Sequence, residues 1–201
     1  FVAKADLLAA SPAYSDQSGV DWKTAAASAA KVLNHIGGVD GMDPTGWTWY
    51  CNVDDIEKLS PTESPAEILW RGERAKSLSL EEDNFPPTLY GNGRINPTQN
   101  LVDAFPMLNG YPVSHLSGEY DENLPYANRD PRLEAYILYN GCKAGNTNKE
   151  IFTAADGTTN DALNKVVGRS TRTGYYLRKL LRQDISLDPN AKADQYHYTP
   201  R

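Results

Sequence analysis

The chain has 201 residues, enough for one domain with a buried core, or for one domain and part of a second. It carries 20 Lys and Arg against 26 Asp and Glu, a formal net charge of −6, which excludes the basic footprint of a nucleic-acid-binding surface. No apolar run approaches the ~20 residues of a membrane-spanning helix; Leu7–Ala10 and Ala135–Tyr139 are the longest clean stretches.

The sequence opens at Phe1 without a basic, apolar leader, so a removed leader or a start inside a longer protein is expected. Residues 1–11 read as the tail of a helix, with Phe1, Ala5 and Leu8 on one face and Ser11-Pro12 as its end. A polar turn follows over residues 15–19. Asp21 is placed to cap a second helix, in which Trp22, Ala25, Ala26, Ala29, Leu33 and Ile36 recur at steps of three and four. Gly37-Gly38 closes it. Trp22 is expected in the core on this spacing. Two short-linked helices rich in small residues form a hairpin of the kind stacked in tetratricopeptide arrays. One hairpin cannot bury its faces alone, so further repeats are expected before Phe1.

From Gly38 onward the composition changes to loops. Gly41–Gly46 leads into Trp47-Thr48-Trp49-Tyr50. Asp54–Leu59 reads as a helical turn and Glu67–Arg71 as a short strand with Trp70 in the core. Glu81-Glu82-Asp83 reads as a solvated acidic face, and Asn84–Asn96 as a loop. Pro97 suits the first position of a helix capped by Asn96, with Leu101, Val102, Phe105 and Leu108 as its apolar side. Residues 109–132 are irregular. Leu133–Tyr139 reads as a strand closed by Asn140-Gly141, and residues 144–159 as polar loop. Asp161–Val167 reads as a short helix, and Thr173–Leu181 as a strand with Tyr175, Leu177 and Lys179 on one face. The tail after Asp184 is polar.

Catalytic and cofactor signatures are missing from the sequence. It holds no G-x-S-x-G, H-E-x-x-H, P-loop or G-x-G-x-x-G, and Gly91-Asn92-Gly93 lacks the rest of a dinucleotide fingerprint. Cys51 and Cys142 show no metal spacing; a disulfide and two buried thiols both remain open. His35, His115 and His197 are scattered, and no EF-hand loop is present. No cofactor is therefore expected and no metal site is assigned, while loops rich in Asp and Asn leave calcium open through their oxygen ligands.

One ordered series is specific. Asn96-Pro97-Thr98-Gln99-Asn100-Leu101-Val102-Asp103-Ala104-Phe105 is followed by Asn128-Arg129-Asp130-Pro131-Arg132-Leu133, then Tyr139-Asn140-Gly141, then Thr173-Gly174-Tyr175-Tyr176-Leu177-Arg178-Lys179. In this order and spacing the series resembles the SusD/RagB family of glycan-binding outer-membrane lipoproteins. The Ser11-Pro12-Ala13-Tyr14 stop, the helix begun by Trp22 and the Glu67–Trp70 segment resemble it as well. The resemblance implies a mainly α fold: a tetratricopeptide-like helical scaffold, here incomplete and ending over residues 1–37, and a loop-rich irregular subdomain with short strands over 38–201. It implies a binding protein and not an enzyme. The implied location is the outer membrane, surface-exposed and lipid-anchored through a parent N-terminus absent from this chain. The implied partners are an oligosaccharide or polysaccharide, a SusC-type TonB-dependent outer-membrane transporter and the remaining segments of the parent chain, with no nucleic acid. A transporter lid or scaffold that takes a non-glycan nutrient such as a peptide is the alternative.

The residues that carry the resemblance read as fold determinants, because an arginine beside an acid and a proline can pin irregular backbone. Sugar contacts are expected instead from exposed aromatics flanked by planar polar groups. Two loops qualify. The first holds Trp47, Trp49, Tyr50 and Asn52; in an extended strand Trp47 and Trp49 share one side as a two-ring platform. The second holds Tyr90, Asn92 and Arg94 in a glycine-rich turn.

Overall fold

The computed structural model describes residues 1–44, 68–69, 74–190 and 198–200. They fall into two compact units, one made of residues 1–44 with 68–69 and the other of 74–190 with 198–200. The described residues are richer in helix than in strand, and the strands pair only two by two.

In the first unit, helix α1 (Val2–Ala9) and helix α3 (Trp22–His35) pack against each other. The α3 start follows its cap: the Thr24 N–H donates to Asp21 Oδ1 over 2.7 Å. Its end follows the glycines, with Gly37 and Gly38 at φ 93° and 79° and the Gly38 N–H returning to Leu33 O. The polar stretch expected as a turn closes instead into one helical turn, α2 (Ser15–Ser18), ended by Gly19 at φ 67°. Two expectations fail here. Trp22 is 56% exposed rather than in the core, and of its helical face only Ala25 is buried. The reason is reach. No residue of α1 is buried, Ala25 is the buried residue of α3, and the Ser28 hydroxyl ties to Asp6 further along α3, so the pairing leaves the first residue of α3 uncovered.

The second unit begins with strand β1 (Arg74–Lys76), which pairs antiparallel with β6 (Tyr198–Pro200). The expected strand at Glu67–Arg71 is not borne out at Ile68 and Leu69, which belong to no element, and Leu69 is exposed. The rest of that stretch, with Trp70 and Asp54–Leu59, lies outside the described residues. Helix α4 (Ser79–Asn84) replaces the expected solvated acidic face. Glu81 is fully buried, and its Oε1 accepts the backbone N–H of Arg182 over 3.1 Å while Oε2 has no hydrogen-bond partner. Burial raises its carboxyl above the ordinary range.

Helix α5 (Gln99–Ala104) is capped by Thr98, whose hydroxyl accepts the Leu101 N–H, and not by Asn96. Asn96 ties loops instead: its Nδ2 donates to Gly93 O and its Oδ1 accepts the Arg172 N–H. Val102 is buried and Phe105 half-buried, but Leu101 and Leu108 face solvent. Arg129 follows, 7% exposed, with its guanidinium donating to three carbonyls: Pro125 O at 2.8 Å, Val102 O at 2.7 Å and Phe105 O at 2.9 Å. Helix α6 (Pro131–Tyr136) occupies most of what the apolar run suggested as strand. Asp130 accepts the Arg132 N–H and Pro131 sits at the first turn, and the helix formers Leu133, Glu134 and Ala135 extend that start as far as Tyr136. Only Ile137–Leu138 remains as strand β2.

A tight turn at Asn140-Gly141, with Gly141 at φ 82°, leads to the hairpin β3 (Lys143–Ala144) and β4 (Lys149–Glu150). Asp161–Val167 holds turns and no helix, because Asp161 is drawn inward rather than left to cap. The expected strand at Thr173–Leu181 shrinks to β5 (Tyr176–Leu177), paired antiparallel with β2 as Ile137↔Leu177 and Leu138↔Tyr176.

That short ribbon organises the core. Neighbouring residues point to opposite faces. Leu138 and Tyr176 join Phe85, Leu89, Ala144, Ile151 and Leu181 on one face. Ile137 and Tyr175 join Val102 and Leu133 on the other, ringed by Phe105, Tyr126, Tyr136 and Tyr139. Tyr126 stacks on Tyr139 at 4.1 Å and meets Tyr175 edge-on at 6.4 Å. Cys142 is a buried free thiol, pushed by burial up to about 11. Cys51 lies outside the described residues.

Replacing Arg129 with Met should destabilise the protein by about 3 kcal/mol or more, since three carbonyls lose their donor. Arg132→Ala removes a half-exposed pair with Asp130 and should cost at most about 1 kcal/mol. Chemical denaturation of the two variants checks the contrast.

The raised carboxyl of Glu81 sets a sign. The unfolded chain releases this proton near the ordinary value of 4.5, and the folded chain only at higher pH. Stability therefore falls as pH rises above 4.5 towards the folded value, and stays reduced above it. Glu81→Gln keeps an acceptor for the Arg182 N–H and should remove this fall, whereas Glu81→Ala bares the N–H and should destabilise at every pH. Denaturation midpoints between pH 4 and pH 8 read both effects.

Candidate functional site

The candidate site lies on the turn after α4. A 3-10 turn over Pro87–Leu89 has proline at its start, and the Tyr90 and Gly91 N–H groups fold back onto Pro87 O and Pro86 O. Leu89 goes into the core. Tyr90 takes φ 66°, in the left-handed region, and leaves the turn 43% exposed. A bulky residue there costs on the order of 1 kcal/mol, so the surroundings must hold it. They do so from three directions.

Gly91 is buried beneath it, and a Cβ at Gly91 would come within 2.2 Å of Phe85 O, so only glycine fits. Asp161, also fully buried, accepts the Thr88 N–H through Oδ1 at 2.8 Å and leaves Oδ2 without a hydrogen-bond partner. Burial raises this carboxyl too. The Tyr176 hydroxyl donates to Asp161 O and accepts the Thr171 N–H, both at 2.9 Å, which carries the tie into the core. Arg169 donates to Gly91 O at 2.9 Å.

Tyr90 borders a cleft of about 100 Å³. Thr88, Asn146, Thr147, Lys149 and Asp188 bring hydroxyl, amide and charged groups to its wall, and buried Leu89 and Ile185 bring apolar ones. The Tyr90 hydroxyl donates to Asp188 Oδ2 at 3.3 Å, and the Lys149 ammonium stands 5.4 Å from the Tyr90 ring centre. The Asn190 N–H, at 2.8 Å, and its Nδ2, at 3.1 Å, donate to Asp188 Oδ1. These bonds, with that from Tyr90, hold the Asp188 carboxyl below the usual range. The Asp188 charge in turn raises the Tyr90 phenol above its usual 10.

Of the sequence-predicted residues described here, Tyr90 reaches the cleft, while Asn92 and Arg94 do not line it. Their backbone N–H groups bond Glu82 O and Asp83 O at the end of α4, and the Arg94 side chain pairs with exposed Asp83 at 3.3 Å. Trp47, Trp49, Tyr50 and Asn52 lie outside the described residues. Sequence reasoning missed Lys149 and Asp188. Lys149 carried no local signal within a polar hairpin. Asp188-Pro189-Asn190 is an Asx-turn sequence, which marks a carboxylate fixed by its own backbone. Among the described residues, no group of three or more His, Cys, Asp or Glu side chains could hold a metal ion. None of the described helices is long and apolar enough to cross a membrane.

The model of the SusD family matches residues 69–199. The chain belongs to the SusD family. Two solved structures from Bacteroides fragilis NCTC 9343 are similar to it. One, a SusD-like protein, shares 23% identity with a TM-score of 0.58, covering 89% of this chain and 36% of its own. The other, a SusD-like carbohydrate binding protein, shares 23% identity with a TM-score of 0.48, covering 60% of this chain and 23% of its own. The chain thus spans about a third of the first and a quarter of the second. No curated protein matches it. The likeness to the first structure is one of fold, and places this helix-rich chain with short strands among SusD-like proteins.

Asp188→Asn should bring the Tyr90 phenol back down towards 10. Titration of ¹³C-labelled tyrosine by NMR, with Tyr90→Phe to assign the resonance, checks it.

Proposed function

We propose that this SusD-family chain is part of a surface glycan-binding protein, without catalysis, cofactor or metal. It captures oligosaccharides or polysaccharides and hands them to a SusC-type TonB-dependent transporter at the outer membrane. The observation that carries the reading is Tyr90, held outward at positive φ beside a cleft walled by hydroxyl, amide and charged side chains. A sugar ring offers CH groups to an aromatic face and hydroxyls to such polar groups. A strained, exposed aromatic with fixed polar neighbours is built for contact more readily than for packing.

Trp47, Trp49, Tyr50 and Asn52 are proposed as a second contact loop, and Asn92 and Arg94 as outer contacts beside Tyr90. Residues 1–37 are proposed as the end of a tetratricopeptide-like scaffold and 38–201 as the irregular subdomain that carries the ligand. Exposed Val2, Leu7, Leu8 and Trp22 support this, because such a hairpin needs stacking neighbours to cover it. Lipid anchoring through a parent N-terminus belongs to the same reading. A second reading, a transporter lid that takes peptide, draws on the opposite charges of Lys149 and Asp188 in one cleft.

Affinity electrophoresis through gels containing plant, host and microbial polysaccharides tests the function. Retardation by at least one glycan is expected, weakened by Tyr90→Ala. The double replacement of Trp47 and Trp49 by Ala should abolish any glycan-induced change in tryptophan fluorescence. Retention by no polysaccharide, with binding to peptides, would move the reading to the lid.

A further inference from the structure

We propose that the Tyr90 cleft takes a uronic-acid residue of the glycan, with Lys149 pairing the sugar carboxylate; this rests on the glycan-binding reading above. Lys149 lines the cleft on strand β4, exposed, with its ammonium over the Tyr90 ring. It forms no ion pair among the described residues. The ring holds the charge over the cleft without neutralising it.

Asp188 does not take that role. Its Oδ1 accepts both Asn190 donors and its Oδ2 accepts the Tyr90 hydroxyl, so three hydrogen bonds fix the carboxylate; it attracts the Lys149 charge but forms no ion pair with it. The cleft therefore keeps one cation with three N–H donors to offer. A ligand carboxylate answers it directly, while the sugar hydroxyls meet Thr88, Asn146 and Thr147.

The same wall limits the ligand. Lys149 is the single cation among the residues lining the cleft, and Asp188 stands beside it. One negative charge is matched; a second, as in a densely sulfated sugar, would meet the Asp188 carboxylate. The cleft, at about 100 Å³, is well below the ~300 Å³ of a pocket that encloses a drug-sized ligand, so it engages part of a chain at the surface rather than enclosing it.

The test compares oligomers of galacturonate, of mannuronate and of a hyaluronan-type chain, each with its carboxyl-reduced neutral form, by calorimetry at low and high salt. At least one uronate oligomer should bind several-fold more tightly than its neutral form. That advantage should shrink in high salt and drop by up to about fivefold in Lys149→Met, the size of an exposed ion pair, while Lys149→Arg keeps it. Circular dichroism confirms that the variants are folded. Equal binding of charged and neutral forms, lost together in Tyr90→Ala, would overturn the uronate assignment and leave glycan binding standing. An advantage unchanged in Lys149→Met would overturn the role of Lys149. Binding to none of these oligomers would overturn the uronate assignment; only failure across the polysaccharide gels as well would remove the glycan reading.

Discussion

The second unit depends on a ribbon of four residues that is apolar on both sides. Leu138 and Tyr176 lie opposite each other in the β2–β5 pair and join one cluster, against which Leu177 also packs, while Ile137, with Tyr175 just before β5, joins the other. So short a pair contributes little through its own backbone. Its stability comes from the two clusters it separates, each of which needs the ribbon as a wall. This constraint explains why irregular chain can be packed so firmly around it. Loops from Phe85, Ile151 and Leu181 attach to one side, and the α5 and α6 turns to the other.

Irregular backbone buried against such a core must find partners for its N–H and C=O groups. The chain meets this need with side chains. Arg129 serves three carbonyls near α5, and the Thr171 hydroxyl takes the N–H groups of Thr173, Gly174 and Tyr175 while donating to Tyr175 O. Glu81 and Asp161 do the same for Arg182 and Thr88 from fully buried positions. Each acid carries one oxygen without a partner, so burial raises both carboxyls. The Tyr90 turn is thus held by polar groups below while its ring projects outward, which joins the core to the proposed contact surface.

What could be read in advance followed from local chemistry. Asp21 and the glycines after His35 fix α3 through contacts within a few residues, and Asn140-Gly141 fixes its turn likewise. The pinning role given to Arg129 and Asp130 also follows from what forked and capping groups do. The failures share a different cause. Glu81 looks like a solvated acid until the Arg182 N–H arrives from 101 residues away. Leu133–Tyr139 reads as a strand on its partial alternation, but Leu133, Glu134 and Ala135 are good helix formers and Asp130 and Pro131 start a helix ahead of them. Trp22 has helical core spacing, yet of that face only Ala25 is buried, with Leu33 and Ile36 half-buried. For the cleft, Tyr90 was visible as an aromatic in a glycine-rich turn. Lys149 and Asp188 became its neighbours only through the hairpin and the tail folding back, which no local pattern encodes.

The tie between Asp161 and the Tyr90 turn runs to Thr88 through its backbone N–H, and the Thr88 side chain also hydrogen-bonds this carboxyl. Glu81 holds Arg182 through the backbone N–H. Proline is barred at position 88 because it has no N–H to give. Thr88 is also part of the cleft wall. One residue thus fastens this loop and stands where a ligand would lie. A change at position 88 alters the fastening and the wall together, whereas Asn146 and Thr147 can vary in the wall without touching the Asp161 anchor.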